Sequence, residues 1–208
     1  MALRIPIYQG RVMGGRKNWV FTITKAASRV LLAPFFRLET DGTDNLPQET
    51  SFIILPKHRR WEDIPLLSLA TPRPLYYVAR YDLFENPVSN WFLRSLGGIP
   101  LNRQRPLESR RSLQAILECL KRGEGVVVFP EGTYYRNTMG PARVGIVRLV
   151  LSRFSVPFIP VGICYSRKRA RTLVRINFGR AFFPDPAACA SKFLDKVMKE
   201  IAALSGLS

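Results

Sequence analysis

Residues 125–133 have the sequence Gly-Val-Val-Val-Phe-Pro-Glu-Gly-Thr, in which four consecutive apolar side chains lead directly into a polar loop. A continuous apolar run is typical of a strand that is buried on both faces, as in a parallel sheet covered by helices. Open α/β sheets bind their ligands at the carboxyl ends of such strands. The segment therefore predicts an α/β domain and places a candidate site in the loop that begins at Pro130.

Short apolar runs alternate with stretches of helical period on both sides of this segment, from residue 38 to the end of the chain. Strands are predicted at residues 52–55, 75–78, 125–129, 156–163 and 173–178. Helices are predicted at residues 64–70, 88–96, 107–122, 144–154 and 188–204. Strands that alternate with helices are typical of α/β proteins. We therefore expect residues 38–208 to form a single α/β domain with a mixed, largely parallel sheet flanked by helices.

Residues 1–37 are expected to form an N-terminal helical arm. Residues 18–36 carry a wide apolar face rich in aromatic side chains and a narrow polar stripe, and Pro34 should bend or end this helix. Two interpretations stay open. The helix packs on its own domain, or it is an amphipathic helix that docks in the surface of a membrane, as the flanking Arg11, Arg16 and Lys17 favour.

The 208 residues suit one domain with a real core, and 47% hydrophobic with 23% charged residues excludes a disordered or fibrous chain. The charge is unusual, because 32 Lys and Arg residues against 15 Asp and Glu residues give a net charge of +17. Such a field attracts anions. Composition alone leaves open whether the partner is a nucleic acid, an anionic membrane surface or a phosphorylated substrate.

Cysteine usage and hydropathy narrow the class further. Cys119, Cys164 and Cys189 are far apart and form no C-x-x-C pair, so we expect reduced structural thiols rather than disulfides or a zinc site. Lys25 and Arg29 interrupt the best apolar stretch, so no bilayer-spanning helix is predicted. The N-terminus lacks the order of a secretory signal, and we expect the chain to stay on the cytoplasmic side.

The only histidine of the chain, His58, follows a predicted strand, and Asp63 lies five residues further on. On a continuous helix that spacing would turn the two side chains apart, but a turn at residues 57–61 would let them meet. A carboxylate bound to one imidazole nitrogen leaves the other free to accept a proton from a hydroxyl. In the alternative interpretation, Asp63 caps the following helix and His58 is incidental.

Glu131 is a further candidate site residue. It is the only acid between Gly125 and Pro184, a stretch with ten Arg or Lys residues, and it lies in the loop after the buried strand. An isolated acid in such a basic stretch is typical of a positioned side chain. The alternative is a structural ion pair with a neighbouring arginine.

Four blocks together resemble the glycerolipid acyltransferase family in order and spacing, over residues 50–165. They are His58-x4-Asp63, Gly-Gly-Ile-Pro-Leu-Asn-Arg at 97–103, Phe-Pro-Glu-Gly-Thr at 129–133 and Val-Pro-Phe-Ile-Pro-Val at 156–161. The resemblance implies an enzyme that moves a fatty acyl chain from an acyl-CoA or acyl-carrier-protein thioester to the sn-2 hydroxyl of lysophosphatidic acid. It also implies a membrane-docking N-terminal arm. No cofactor and no metal are expected.

The same resemblance assigns roles to individual residues. His58 is expected to be the general base, and Asp63 is expected to orient it. Arg103 would bind the phosphate of the acceptor. The residues that would bind its glycerol phosphate are Glu131, Gly132 and Thr133. The acceptor hydroxyl would attack the thioester directly, without a covalent acyl-enzyme, and the chain has no Gly-x-Ser-x-Gly nucleophile motif.

This sequence departs from the usual pattern of that family at Pro100, at Asn102 and in the Tyr-Tyr-Arg run at 134–136. These departures leave the identity of the acceptor open, with another lysophospholipid or an amine-bearing lysolipid as the first alternative. Either Arg136 or Arg143 would replace the missing arginine beside the phosphate.

The basic run at residues 167–171 favours either a solvated hairpin loop or contact with anionic lipid head groups. Because no aromatic-rich or helix-turn-helix context accompanies the charge, nucleic acid is not an expected partner. The expected partners are anionic membrane lipids, a lysophospholipid acceptor and the thioester donor, with the protein peripheral or monotopic on the cytoplasmic face of the inner membrane. A different class, a non-catalytic basic membrane-binding module, is the remaining alternative.

Overall fold

A computed structural model describes residues 16–102, 106–168, 170–184 and 189–207. In these ranges the strands are β1 Phe36–Asp41, β2 Phe52–Pro56, β3 Leu75–Arg80, β4 Gly98–Leu101, β5 Gly125–Val127, β6 Phe158–Lys168 and β7 Arg171–Phe178. The helices are α1 Asn18–Leu32, α2 Asp63–Ala70, α3 Pro87–Ser95, α4 Pro106–Lys121, α5 Val144–Leu151 and α6 Ala190–Leu204. Single 3₁₀ turns occupy Thr43–Asn45 and Tyr81–Phe84.

The strands form one sheet in the order β1-β7-β6-β2-β5-β3-β4, so β2 lies at its centre. All neighbouring pairs are parallel except the hairpin of β6 and β7. Ile54 of β2 pairs with Val127 of β5 on one side and with Ile159 of β6 on the other. The carboxyl ends of these parallel strands therefore meet at one edge of the sheet, and the loops after β2, β3 and β5 come together there.

Alternate side chains of each central strand enter two separate hydrophobic layers, as the period of a strand requires. Ile53 and Leu55 of β2 pack with Val126 of β5 against helices α4, α5 and α6. Phe52 and Ile54 pack on the opposite face against α2. The sheet is thus covered by helices on both faces, and the predicted α/β domain with a mixed, largely parallel sheet is confirmed.

Two edge strands were not expected from the sequence. Strand β4 contains Pro100, which cannot donate to a ladder and is tolerated at the edge of a sheet. Strand β1 alternates apolar with charged side chains and pairs with β7 at the opposite edge. Because β1 begins at Phe36, it crosses the predicted boundary between the arm at 1–37 and the domain at 38–208.

Helix α1 is shorter than predicted and ends at Leu32, just before Pro34. It contacts α2 and α3 and buries Val20, while the Lys25 Nζ donates to the Thr71 carbonyl oxygen at 2.9 Å. Its outer apolar side chains remain more than 60% exposed: Trp19, Ile23, Val30 and Leu31. The helix therefore packs on the domain and also keeps an apolar face in solvent. None of the described helices is both long and apolar enough to cross a membrane.

Candidate active site

The turn between β2 and α2 brings His58 and Asp63 together. The His58 Nδ1 lies 3.0 Å from the Asp63 Oδ2, and the same carboxylate oxygen accepts hydrogen bonds from the backbone N–H groups of Arg59, at 2.6 Å, and Arg60, at 2.8 Å. Asp63 is completely buried. Its carboxylate therefore holds the histidine and the turn before the helix, and does not cap α2 as the alternative interpretation had it.

Tyr165 is a further partner of this carboxylate that sequence reasoning missed. Its hydroxyl donates to the Asp63 Oδ1 at 2.6 Å from strand β6. Burial and the negative charge of Asp63 raise the pKa of Tyr165 well above its usual range, so the hydroxyl stays a donor. The sequence contains one signal that could have found Tyr165, the alternation of side chains along a strand. Tyr165 shares a face with Ile163 and Val161, which pack in the same layer as α2.

Two aromatic rings enclose the imidazole of His58. Phe129 stacks on it with ring centroids 3.9 Å apart, and Tyr134 lies 4.3 Å away at a tilt of 53°. With the Nδ1 engaged by Asp63, the Nε2 is the nitrogen left to accept a proton from a bound hydroxyl. Phe129 and Tyr134 both belong to the stretch that follows β5, the segment from which the site was predicted.

Glu131 forms a buried ion pair with Lys57. It is 1% exposed, and its Oε1 and Oε2 lie 2.7 and 2.8 Å from the Nζ of Lys57, which is 0% exposed. Its remaining acceptor positions take the backbone N–H of His58 at 3.1 Å and of Gly140 at 2.6 Å. Glu131 is not part of the pocket wall, and its expected contact with glycerol phosphate stays a prediction. Its ion pair is with a lysine rather than with an arginine.

His58 lies in the wall of a pocket of about 610 Å³ at the carboxyl edge of the sheet. Its lining includes apolar side chains from β3, β4, α2, α5 and the residue after β5, and polar side chains that lie at or after the carboxyl ends of β3, β4 and β5. The apolar members include Ile64, Val78, Leu101, Val128 and Ile146, and the polar members include Arg80, Asp82, Glu85, Asn102 and Thr133. Apolar and polar side chains therefore share one pocket with His58.

Only some of the predicted substrate-binding residues line the pocket. Gly132 and Thr133 line the pocket. Arg143 is exposed at the start of α5, where its backbone N–H donates to the Pro130 carbonyl oxygen at 2.9 Å, and it is not part of the pocket wall. Arg136 is also exposed and absent from that wall. Arg103 lies outside the described residues.

Arg80 was not expected as a site residue. It lines the pocket at the carboxyl end of β3, and among the described lining residues it is the only lysine or arginine. Its guanidinium forms two hydrogen bonds with Asp82, at 3.0 and 2.7 Å. Within the part of the chain that is described, no group of three His, Cys, Asp or Glu side chains is placed to hold a metal ion.

Several proteins of similar sequence are named as lipid acyltransferases. The chain is 28% identical to a 1-acyl-sn-glycerol-3-phosphate acyltransferase of Streptococcus pneumoniae over 146 residues, which cover 66% of this chain and 53% of that protein. It is 32% identical to the protein of the same name from Bacillus subtilis over 108 residues, 51% of this chain and 53% of that one. A lyso-ornithine lipid O-acyltransferase of Pseudomonas aeruginosa is 33% identical over 113 residues, 53% of this chain and 42% of that protein. These matches span about half the length of the curated relatives.

The fold has a solved neighbour. The crystal structure of a 1-acyl-sn-glycerophosphate acyltransferase from Thermotoga maritima matches with a TM-score of 0.70 at 20% identity, covering 92% of this chain and 82% of the other. The model of the family named Acyltransferase matches residues 37–164. This range contains His58, Asp63 and Glu131. It includes strands β2 to β5 in full, β1 without its first residue and β6 without its last four residues, and it excludes β7. The chain belongs to the acyltransferase family.

Proposed function

We propose that this protein is an O-acyltransferase that moves a fatty acyl chain from an acyl thioester to the sn-2 hydroxyl of lysophosphatidic acid and so makes phosphatidic acid. The observation that carries the proposal is a histidine oriented by a buried carboxylate, in the wall of a pocket lined by both apolar and polar side chains. The names of the relatives from Streptococcus pneumoniae and Bacillus subtilis support the same acceptor.

The reaction follows from the geometry of His58. The acceptor hydroxyl gives its proton to the His58 Nε2 as its oxygen attacks the thioester carbonyl carbon, and Asp63 stabilises the imidazolium that forms. The tetrahedral intermediate then collapses, the carbon–sulfur bond breaks, and the departing thiolate takes the proton from His58. One ester and one thiol result, and no acyl group is ever attached to the protein.

The polar part of the pocket is assigned to the acceptor. A guanidinium can bind a phosphate through paired hydrogen bonds, and Arg80 places one in the pocket wall at the carboxyl edge of the sheet. Its Nε and one terminal nitrogen donate to Asp82, so the phosphate would use the other terminal nitrogen or displace that carboxylate. Gly132 and Thr133 would contact the glycerol, and Arg103 remains the predicted second cation. The apolar part is assigned to the acyl chain of the donor, which is a coenzyme A or carrier-protein thioester. A histidine base needs no metal or cofactor for this step, so dialysis against EDTA should leave the rate unchanged.

The exposed face of α1 is assigned to the membrane. Its apolar side chains project into solvent, and the net charge of +17 attracts anionic lipid head groups. Both substrates carry acyl chains, so a protein that sits on the bilayer surface meets them where they are concentrated. We place it on the cytoplasmic face of the inner membrane as a peripheral or monotopic protein.

The test compares purified protein with its His58→Ala variant. Detergent-dispersed lysophosphatidic acid is offered with acyl-CoA in one arm and acyl-carrier protein in the other, and thiol release is followed together with the lipid product. We expect the substitution to lower kcat at least about 100-fold. Lys196→Ala, on the exposed side of α6, is the control and should leave the rate unchanged. Wild-type protein that makes no acylated lipid from either donor would refute the assigned acceptor.

One observation favours a second acceptor class. Asp82 and Glu85 line the same pocket as Arg80, so its polar part presents carboxylates as well as a guanidinium. A head group that carries an amine and a carboxylate would match this mixture, and a relative named as a lyso-ornithine lipid O-acyltransferase is consistent with it. An acceptor panel with lysophosphatidic acid and an amine-bearing lysolipid decides between them by kcat/KM. No turnover of any acceptor would favour the non-catalytic membrane-binding module.

A further inference from the structure

We propose that Lys57 is a positioning residue for the reaction, and that it acts through Glu131 to hold the main chain of the base, His58, against the loop that forms the pocket wall. This inference rests on the proposed function for its kinetic test, but its physical content is a set of contacts that can be measured without turnover. None of these contacts was expected from the sequence, where Lys57 was only part of a turn.

Lys57 directly precedes the base, His58, in the sequence, and its side chain is completely buried. Its ammonium group donates to both oxygens of Glu131 and to the Tyr135 carbonyl oxygen at 2.7 Å. All three N–H bonds of the ammonium therefore have short partners. Burial lowers the pKa of Lys57, and the hydrogen bond and negative charge of the Glu131 carboxylate oppose this effect. The positive charge of Lys57 is therefore supported by Glu131.

Glu131 connects this charge to two further backbone groups. One carboxylate oxygen accepts from the His58 backbone N–H, and the other accepts from the Gly140 backbone N–H. Gly140 lies nine residues after Glu131 in the loop between β5 and α5, and a side chain at that position would overlap the ring of Tyr135. The carboxylate thus closes the loop on itself and fastens it to the strand end that carries the base.

The result is that both main-chain polar groups of His58 are held by this one loop. Its N–H donates to the Glu131 Oε2, and its carbonyl oxygen accepts from the Tyr135 N–H at 3.0 Å. Tyr134, between these two residues, packs on the imidazole. Gly132 and Thr133 of the same loop line the pocket. The ion pair therefore sets the distance between the base and the wall that would bind the acceptor.

A mispositioned base lowers the rate of proton transfer more than it lowers substrate affinity. A displacement of about 1 Å can cost about 100-fold in rate. The expected signature of Lys57→Met is thus a kcat lower by about 10- to 100-fold, with the KM for the acceptor changed less than about threefold. Loss of the glycerol-phosphate contact that the resemblance implied for Glu131 would instead raise KM.

The kinetic experiment uses Lys57→Met, Glu131→Gln and the double variant. The double variant removes both charges, so it avoids an unpaired buried charge and should unfold at a higher temperature than either single variant. Its kcat should nevertheless stay low, because the N–H groups of His58 and Gly140 approach different oxygens of Glu131, and the amide NH2 of a glutamine would face one of them as a second donor. Ile201→Val and Ile201→Ala, in the core side of α6, are stability-matched controls that should retain wild-type kcat below their unfolding temperatures. A double variant that regains wild-type kcat would overturn the proposal.

A second measurement does not require turnover. Because the chain contains one histidine, protein labelled with ¹⁵N only in histidine gives a single backbone amide signal in an NMR spectrum. We expect that amide to exchange its hydrogen at least about 10-fold faster in Lys57→Met and in the double variant than in wild type, and unchanged in the Ile201 controls. Equal exchange in all proteins would refute the positioning role. Faster exchange in a protein that acylates no lipid would sustain it and refute only the proposed function.

Discussion

The Asp63 carboxylate accepts hydrogen bonds from several groups besides His58. Besides the His58 Nδ1, its carboxylate receives two backbone N–H groups of the turn and the hydroxyl of Tyr165. A buried carboxylate that accepts several hydrogen bonds is fixed in direction. It can then hold one tautomer of the imidazole and stabilise the imidazolium that forms in the reaction.

Tyr165→Phe tests this at the scale of one residue. The substitution removes one donor from a buried oxygen, so we expect a loss of about 1–3 kcal/mol in the free energy of unfolding and a severalfold lower kcat with little change in KM. Because the pKa of Tyr165 is raised, the hydroxyl's contribution to stability should persist below pH 10, the usual pKa of tyrosine, and be lost only as the pH rises further.

Urea unfolding at several pH values and initial rates of acyl transfer measure both effects. Tyr76→Phe is the matched control, since Tyr76 is buried but does not line the pocket. An undiminished kcat in Tyr165→Phe would contradict a role for this hydroxyl in orienting Asp63.

At the scale of elements, helix α6 packs closely on strand β6 because Gly162 of β6 has no side chain. A Cβ atom added at Gly162 of β6 would lie 2.3 Å from the backbone of Leu204, the last residue of α6. Backbone atoms cannot rotate away, so the helix and the strand would have to separate. The glycine therefore sets the close approach of α6 to β6, the strand that pairs with the central strand β2.

Gly162→Ala should lower the free energy of unfolding by about 1–3 kcal/mol, as overpacking of a tight contact does. Gly145→Ala makes the same chemical change in α5, where no described atom beyond the neighbouring residues and the helix's own nearby backbone lies within 4 Å of the new Cβ. That control should be neutral or stabilising by up to about 1 kcal/mol, because alanine favours a helix. Thermal unfolding of both variants measures the difference, and equal midpoints would contradict the packing argument.

The elements themselves were largely predictable, because each depends on local hydrophobic period. Residues 52–55 and 173–178 were predicted as strands and lie within β2 and β7, and α2 and α3 begin within one residue of their predicted starts. The edge strands β1 and β4 were not predictable in this way. Their pairing is decided by neighbours far along the chain, and their own sequences contain charges or a proline.

At the scale of the whole molecule, charge and exposed apolar surface act together. The face of α1 with Trp19, Ile23, Val30 and Leu31 projects from a protein of net charge +17. Burying one such side chain in a bilayer is worth about 1.5–3 kcal/mol, and each basic residue near an anionic surface adds about 1 kcal/mol. Binding should therefore need both the apolar face and anionic lipid.

Ile23→Ser combined with Leu31→Ser should weaken binding to vesicles that contain phosphatidylglycerol by at least about 10-fold, measured by sedimentation. Added salt should weaken binding of wild-type protein, because the electrostatic part is screened. Phe183→Ser is the control, since Phe183 is as exposed but lies beside the amino end of β6. If the double variant bound as tightly as the wild type, α1 would not be the docking surface.

The sequence by itself determined the α/β class, the layered helices and strands, and the loop after β5 as part of the site, because these follow from local period and from where buried strands end. It also brought His58 and Asp63 into one hypothesis, since five residues and a turn separate them. Only the tertiary structure decided that Glu131 pairs with Lys57, 74 residues away, and that Tyr165 reaches Asp63 across 102 residues. Such contacts depend on which strands become neighbours, and strand order is settled by the packing of the whole chain rather than by any one segment of it.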